Sequence, residues 1–268
     1  MLFYIIERMK NDIGIQSVNR AIAILSLFTP RRPRLGITEI SRMLNLPKAT
    51  IYGLAHTLLK AGFLQQDPET RKYQLGLKIY EMGIILAGNF EINQKAIGPA
   101  NKLAKSVSLV SRVAVWDGDS ALITLNVDPR SNSLFFHQIG PRIPAYCSSV
   151  GKAILAFLNH EEFKVYLSRT ELIPYTPKTI LQKERLLKDL EETRQRGYSI
   201  DQEETTLGLT CIGAPIFGKD GHFEASISLS GDPGRFQRKP LKDLSEKLIK
   251  TAGEISRAMG YFPEVLRF

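Results

Sequence analysis

The segment Gly36–Tyr73, GITEISRMLNLPKATIYGLAHTLLKAGFLQQDPETRKY, constrains this chain more than any other, because it fits two short helices around a tight turn, followed by a short basic hairpin. Thr38 stands where an N-cap belongs, its hydroxyl able to accept from the first backbone N–H groups of a helix running to Leu44. Asn45-Leu46-Pro47 breaks that helix: a proline disfavours helical geometry at the residue before it, yet is tolerated at the first position of the next helix, here about Lys48 to Ala61. Gly62 closes this second helix as a C-cap.

Two helices this short need a third to bury their apolar faces, and Ser17–Phe28 supplies it with Val18, Ala21, Ile22, Leu25 and Phe28 at helical spacing. Ile37, Ile40, Met43, Leu44, Leu46, Ile51, Leu54, Leu58 and Leu59 complete a small core. Lys48, Ala49, Thr50, Tyr52 and His56 then lie near the start or on the open side of the second helix, the end that enters a major groove, with Thr38 on the helix before it. Phe63–Gln66 and Lys72–Leu75 alternate as strands around Asp67–Arg71, and Arg71 and Lys72 at the hairpin tip suit phosphate contact or minor-groove insertion. Such a pattern also occurs as plain three-helix packing; the attached wing and the local charge favour double-stranded DNA as the partner. Residues 1–90 hold 12 Lys/Arg against 6 Asp/Glu and residues 91–268 hold 24 against 21, so the basic excess gathers where DNA would lie.

At 268 residues with 43% hydrophobic content, the chain is long enough for two domains with their own cores. No apolar run approaches the roughly 20 residues that span a bilayer, so no membrane partner is expected. Leu2–Ile6 is too short and wrongly flanked for a signal peptide, and residues 1–13 read as an N-terminal extension with Met9 as an alternative start. Only two cysteines occur, Cys147 and Cys211, far apart and without CxxC spacing, which argues against a disulfide framework or structural zinc and fits a cytoplasmic location.

Beyond the winged unit (residues 14–75), Leu77–Ala87 is a strongly apolar linker helix within residues 76–90. It leaves too little polar surface for a solvated connector, so it implies a partner, either a second subunit or the following domain; a buried core helix is the plainer alternative. Residues 91–268 open with a helix from Glu91 to Val107. Strand patterns follow at Val113–Trp116, Ala121–Val127 and Leu134–His137, with Asp117-Gly118-Asp119 as a turn. Pro141–Pro144 leads into helices from Ser149 to Leu158, from Glu161, and from Leu181 to Arg196. Strands are then expected at Tyr198–Asp201, Thr210–Phe217 and Phe223–Leu229, and a final amphipathic helix runs from Lys242 to Met259. One antiparallel sheet faced by helices, an α+β domain, accounts for this order.

With both halves in view, the sequence resembles the isocitrate lyase regulator (IclR) family of bacterial transcription factors from Gly14 to Ala258. GIQSVNRAIAIL (Gly14–Leu25), LPKATIYGL (Leu46–Leu54), YQLGLKIYEMG (Tyr73–Gly83), VGKAILA (Val150–Ala156) and GYSIDQEETTLGLTCIGAPIF (Gly197–Phe217) stand in the family's order and spacing. The resemblance implies a winged helix-turn-helix, a linker helix and a C-terminal GAF-like domain that binds a small effector, assembled as dimers or dimers of dimers. It implies control of the catabolism of small organic acids, sugar acids or aromatics. It also implies an effector pocket built from Asp201, Cys211 and Ser228–Leu229–Ser230, closed by the loop before VGKAILA with Ile143, Ser149 and Val150. Two hydroxyls, a thiol and the N–H groups opening the Ser149 helix are suited to a small carboxylate. A buried Asp201 would repel it unless protonated or bonded to a ligand hydroxyl or keto group.

Three positions depart from the family pattern: Ala49 stands where Ser is common, Gly53 where a basic residue is common, and Tyr146 where His is frequent. Gly53 costs on the order of 1 kcal/mol of helix stability relative to Ala. The competing class is a metal-binding or enzymatic protein using Cys211, Cys147, His137, His222 and Asp201, although no HExxH, nucleophile elbow or phosphate-cradling glycine loop is present. A nucleoid protein without an effector would have no use for a polar pocket in the second domain.

Overall fold

The computed structural model describes residues 14–130, 142–238 and 240–262, and the chain divides into two compact units between Asn89 and Phe90. The expected strand Leu134–His137, and His137 with it, lie outside the described residues.

In the first unit, helices α1 (Gln16–Ser26), α2 (Ile37–Leu44) and α3 (Lys48–Lys60) are followed by strands β1 (Leu64–Gln66) and β2 (Tyr73–Leu75) and helix α4 (Leu77–Gly88). Ile24, Leu27, Leu35, Ile40, Ile51, Ala55, Leu64 and Tyr73 form the buried centre. Val18 and Ile22 do not join it. Ile24 of α1 and Leu27 at its C-cap are fully buried, Leu25 and Phe28 of the expected stripe pack against them, and Val18 and Ile22 are left about half exposed.

The N-cap of α2 is also corrected. The helix begins at Ile37, Gly36 is its cap residue, and the Glu39 carboxylate accepts from the Gly36 N–H at 2.7 Å, so Thr38 sits exposed in the first turn. That bond is the main cause holding the Glu39 carboxyl below the usual range. Asn45, with φ 52°, ends α2 in the left-handed region, and Gly62 at φ +77° follows the Ala61 cap of α3. In the wing, β1 and β2 pair antiparallel. Leu35 and Tyr73 exchange both backbone hydrogen bonds, at 2.8 and 2.9 Å, which ties the approach to α2 onto β2. Asp67 folds the tip by accepting from the Glu69 and Thr70 N–H groups.

The second unit opens with α5 (Glu91–Val107) and contains a six-stranded antiparallel sheet of order β5-β4-β3-β8-β7-β6. The strands are β3 (Val110–Trp116), β4 (Ser120–Val127), β5 (Arg142–Pro144), β6 (Ser199–Gln202), β7 (Thr210–Phe217) and β8 (Phe223–Gly231). β5 is an addition to the expected set, a three-residue edge strand where the prolines suggested only a lead-in. A 3₁₀ turn (Ala145–Cys147) connects it to α6 (Ser149–Phe157), after which come α7 (His160–Arg169) and α8 (Lys183–Arg196). The short α9 (Pro233–Gln237) and the long α10 (Leu241–Ala258) follow the sheet.

Strand alternation divides the sheet into two chemically different faces. Ile212, Ala214 and Ile216 of β7 and Ala225, Ile227 and Leu229 of β8 enter the core that includes α5 and α10 residues. Ser226, Ser228 and Ser230 alternate with them and leave a polar stripe on the other face, and α6 packs against the same strands.

Candidate functional site

The polar face of the sheet, the start of α6 and the loop between β6 and β7 enclose a cavity of about 390 Å³. Of the residues expected in the effector pocket, Ile143, Ser149, Val150, Asp201, Cys211, Ser228 and Ser230 line it. Leu229 does not. It falls between the two serines on β8, so the two-residue repeat of the strand turns its side chain into the opposite core, where it is fully buried.

Close packing sets the position of the α6 end of the cavity. The Ser199 hydroxyl donates to the Ser149 carbonyl at 2.5 Å, and Gly213 opposite has no Cβ to hold that carbonyl away. Ser148 caps the helix by accepting from the Gly151 N–H at 3.2 Å. Gly151 lies directly against the Ala145 backbone.

Asp201 is 1% exposed and pairs in register with Cys211. Its oxygens accept from the Glu204 N–H at 2.7 Å and the Thr205 hydroxyl at 2.8 Å, so the carboxylate organises the 203–208 loop from within. Burial raises its pKa, with Thr205 the largest opposing influence. Burial also pushes the Cys211 thiol up to about 12, with Asp201 adding to the effect, and the Cys147 thiol up to about 12 in the same way. Both are neutral thiols near pH 7.

Several wall residues carried no motif that would have marked them. Arg112, Asn126, Arg142, Tyr175 and Thr205 all face the cavity. Arg112 left one trace: it is a charge inside the otherwise apolar and small VSRVAVW strand. Its Nε donates to Asn126 Oδ1 at 3.0 Å and its Nη1 to Ser230 Oγ at 3.4 Å. Tyr146 lies outside the cavity wall; its hydroxyl donates to the Ile173 carbonyl at 2.8 Å and accepts from the Ile173 N–H at 3.1 Å, anchoring the segment that carries Tyr175.

The metal reading is not supported. Cys147 is buried among Tyr146, Leu155 and Tyr166, His222 is exposed near the β7–β8 turn, and among the described residues no three His, Cys, Asp or Glu side chains could hold a metal ion.

In the first unit, Lys48, Ala49, Tyr52, Gly53 and His56 form an exposed strip along α3, with Thr50 partly buried beside it. Tyr52 and His56 stack with ring centroids 6.1 Å apart. Arg71 is exposed at the wing tip in the left-handed region, and Lys72 is turned toward Glu39 of α2 at 3.5 Å.

A winged helix-turn-helix unit followed by an antiparallel sheet whose polar face encloses a small-molecule cavity defines a DNA-binding regulator with a ligand-binding domain. The chain belongs to the IclR family of bacterial transcriptional regulators: the IclR helix-turn-helix domain matches residues 17–68 and the bacterial transcriptional regulator IclR C-terminal domain matches residues 86–257. It is 32% identical over 247 residues to the HTH-type transcriptional regulator XynR of Escherichia coli (strain K12), covering 92% of this chain and 98% of XynR. The crystal structure of the Thermotoga maritima IclR superposes with a TM-score of 0.70 at 29% identity, covering 92% of this chain and all of that one. An IclR homologue from Microbacterium hydrocarbonoxydans, complexed with 4-hydroxybenzoate, shares the fold at a TM-score of 0.76 and 21% identity, over 91% of this chain and 98% of its own.

Proposed function

We propose that this protein is a cytoplasmic, homodimeric regulator that reads an operator with α3 and the wing, and that a small organic acid in the second-unit cavity changes its grip on DNA. The observation that carries this reading is the cavity itself, polar on the sheet side and set in the unit that follows the winged domain. The contacts to DNA are assigned to Lys48, Thr50, Tyr52, His56, Arg71 and Lys72. Thr38, in the first turn of α2, and Ala49 contribute at the backbone and the helix surface.

The acid class draws support from the 4-hydroxybenzoate held by the Microbacterium homologue and from the cationic and hydroxyl groups on the cavity wall. Such an effector suits control of a catabolic operon. A homodimer, or a dimer of dimers, accounts for the exposed apolar residues of α4, since two copies would remove them from water together.

Fluorescence anisotropy with DNA from upstream of the protein's own gene tests the reading. Saturable binding whose affinity falls steeply with salt, and which shifts when the effector is added, is expected. Binding that ignores salt, or no binding at all, would refute it.

A further inference from the structure

We infer that Arg112 is the anion anchor of the cavity, and that the ligand it selects is an organic acid docked with its carboxylate against this guanidinium. The inference deepens the effector reading above and rests on it.

Arg112 is the third residue of β3, flanked on both sides by paired strands, with Ser228 of β8 and Asn126 of β4 as its register neighbours. A partly buried guanidinium at such a place loses hydration, which a carboxylate partner ordinarily offsets. Arg112 instead donates to two neutral oxygens, Asn126 Oδ1 and Ser230 Oγ. Among the described residues no carboxylate lies within ion-pair distance of it.

Among the described residues, the other cations at or behind the cavity wall have carboxylate partners, and burial favours the neutral, non-repelling form of Asp201. Arg142 pairs with Asp117. Asp201 accepts from the Glu204 amide and the Thr205 hydroxyl. Behind the loop, Lys152 pairs with both Glu204 and Asp189. Arg112 therefore supplies the uncompensated positive charge of the wall, and a ligand carboxylate provides what it lacks.

Geometry favours the same assignment. Two of the five N–H donors of the guanidinium are committed to Asn126 of β4 and Ser230 of β8, which holds the fork between these two strands with its remaining donors uncommitted to a carboxylate among the described residues. A carboxylate, planar and with two acceptor oxygens, matches a fixed fork better than any neutral oxygen group does. The α6 N-terminus is a weaker anchor, because Ser148 already accepts from one of its amides. Ile123, Val150 and Leu209 add apolar wall, so the acid carries a hydrocarbon or ring body behind its charged end.

The test uses the full-length protein in isothermal titration calorimetry and thermal-shift assays. Pyruvate, D-gluconate and 4-hydroxybenzoate are each compared with the corresponding neutral amide, on the wild type and on Arg112→Met and Arg112→Lys. At least one acid should bind the wild type, and its amide should bind at least about tenfold more weakly. Arg112→Met should lose about 10- to 100-fold in affinity, the range for removing a charged hydrogen-bond partner, with Arg112→Lys losing less. An amide that binds as well as its acid, Arg112→Met retaining wild-type affinity, or none of the three acids binding would overturn the inference. The acid–amide comparison needs no variant and stands even if Arg112→Met folds poorly. Operator anisotropy on the wild type is read separately: its failure removes the DNA-binding reading, whereas failure of the acid–amide contrast removes only the anchor.

Discussion

The ammonium of Lys152 on α6 lies 2.6 Å from Glu204 Oε1 in the β6–β7 loop, and both side chains are almost wholly buried. Asp189 of α8 completes the cluster at 2.9 Å from the same nitrogen. The loop is also held from behind by Thr176 and Thr179, whose hydroxyls donate to the carbonyls of Glu203 and Glu204, each at 2.7 Å. Thr205, Thr206 and Leu209, which face the cavity, are thus positioned by groups outside it. Removing one member of a buried ion cluster leaves the others uncompensated, so Lys152→Met should lower the unfolding free energy by about 3–5 kcal/mol. Urea denaturation measures this, and a loss below about 1 kcal/mol would show that the cluster is not the clamp described.

The same cluster gives the protein a pH dependence of definite sign. Burial raises the Glu204 carboxyl to about 7, with Lys152 only partly opposing it, and Glu204 Oε2 has no hydrogen-bond partner among the described residues. Well below pH 4.5 both folded and unfolded chains hold this proton, and well above pH 7 neither does. Between them the folded chain holds it and the unfolded chain does not, so stability declines as pH rises through the window. Asp201, raised in the same direction by burial, adds to the slope. Asp128, held near 2 by Arg130, acts oppositely but only below about pH 4. Unfolding curves from pH 4.5 to 7.5 should show a decline of about 3 kcal/mol, and Glu204→Gln should flatten most of it.

Gly213 tests how closely α6 must approach the sheet. A Cβ there would stand 2.5 Å from the Ser149 carbonyl oxygen and 2.7 Å from its carbon, so Gly213→Ala forces the start of α6 away. Overpacking of this kind costs about 1–3 kcal/mol. Because Ser149 and Val150 form the cavity wall, ligand affinity should fall as well. Calorimetry at a temperature where the variant remains folded separates the two effects; an unchanged affinity would mean that the α6 end does not touch the ligand.

Much of this architecture is legible in sequence because local chemistry and tertiary packing agree. The Glu91–Val107 helix and the Thr210–Phe217 strand have the expected bounds, each set off by residues that stop it, such as Ser108 in the left-handed region after α5. Thr38 does not cap α2 because the Glu39 side chain reaches backward to the Gly36 N–H, a cap made from the opposite direction. Leu229 shows a limit of reading a pocket as a run of consecutive residues: a strand presents only alternate ones. Arg112, Asn126 and Tyr175 come to the cavity from separate elements, and no spacing along the chain encodes their meeting. The buried state of Lys152 was equally hidden, because its partners lie 37 and 52 positions away.

On the DNA-binding unit, Lys48 and Tyr52 should act differently. Lys48 is exposed at the first position of α3. As a phosphate contact, its removal in Lys48→Ala should weaken all DNA about equally and reduce the slope of log affinity against log salt by about 1. Tyr52, 57% exposed and stacked on His56, presents an aromatic face one turn further along. Tyr52→Ala should narrow the gap between operator and unrelated DNA by about 1–3 kcal/mol with little change in salt slope. Anisotropy titrations at three salt concentrations distinguish the two patterns, and a uniform loss in Tyr52→Ala would remove it from base recognition.

Helix α4 carries the last prediction. Leu77 and Tyr80 are each 68% exposed, and Met82, Ile84, Ile85 and Leu86 are also open, so apolar side chains surround the helix instead of forming one inward stripe. A water-facing helix of this composition is stable only when another surface covers it. If the cover is the same helix of a second copy, a charge placed there meets its own symmetry mate and is doubly unfavourable. Ile85→Asp should then convert the dimer to monomer in size-exclusion chromatography with light scattering. It should also weaken operator binding by more than tenfold, because the two recognition helices would no longer be held together. An Ile85→Asp protein that elutes as the wild type would assign the cover to another surface.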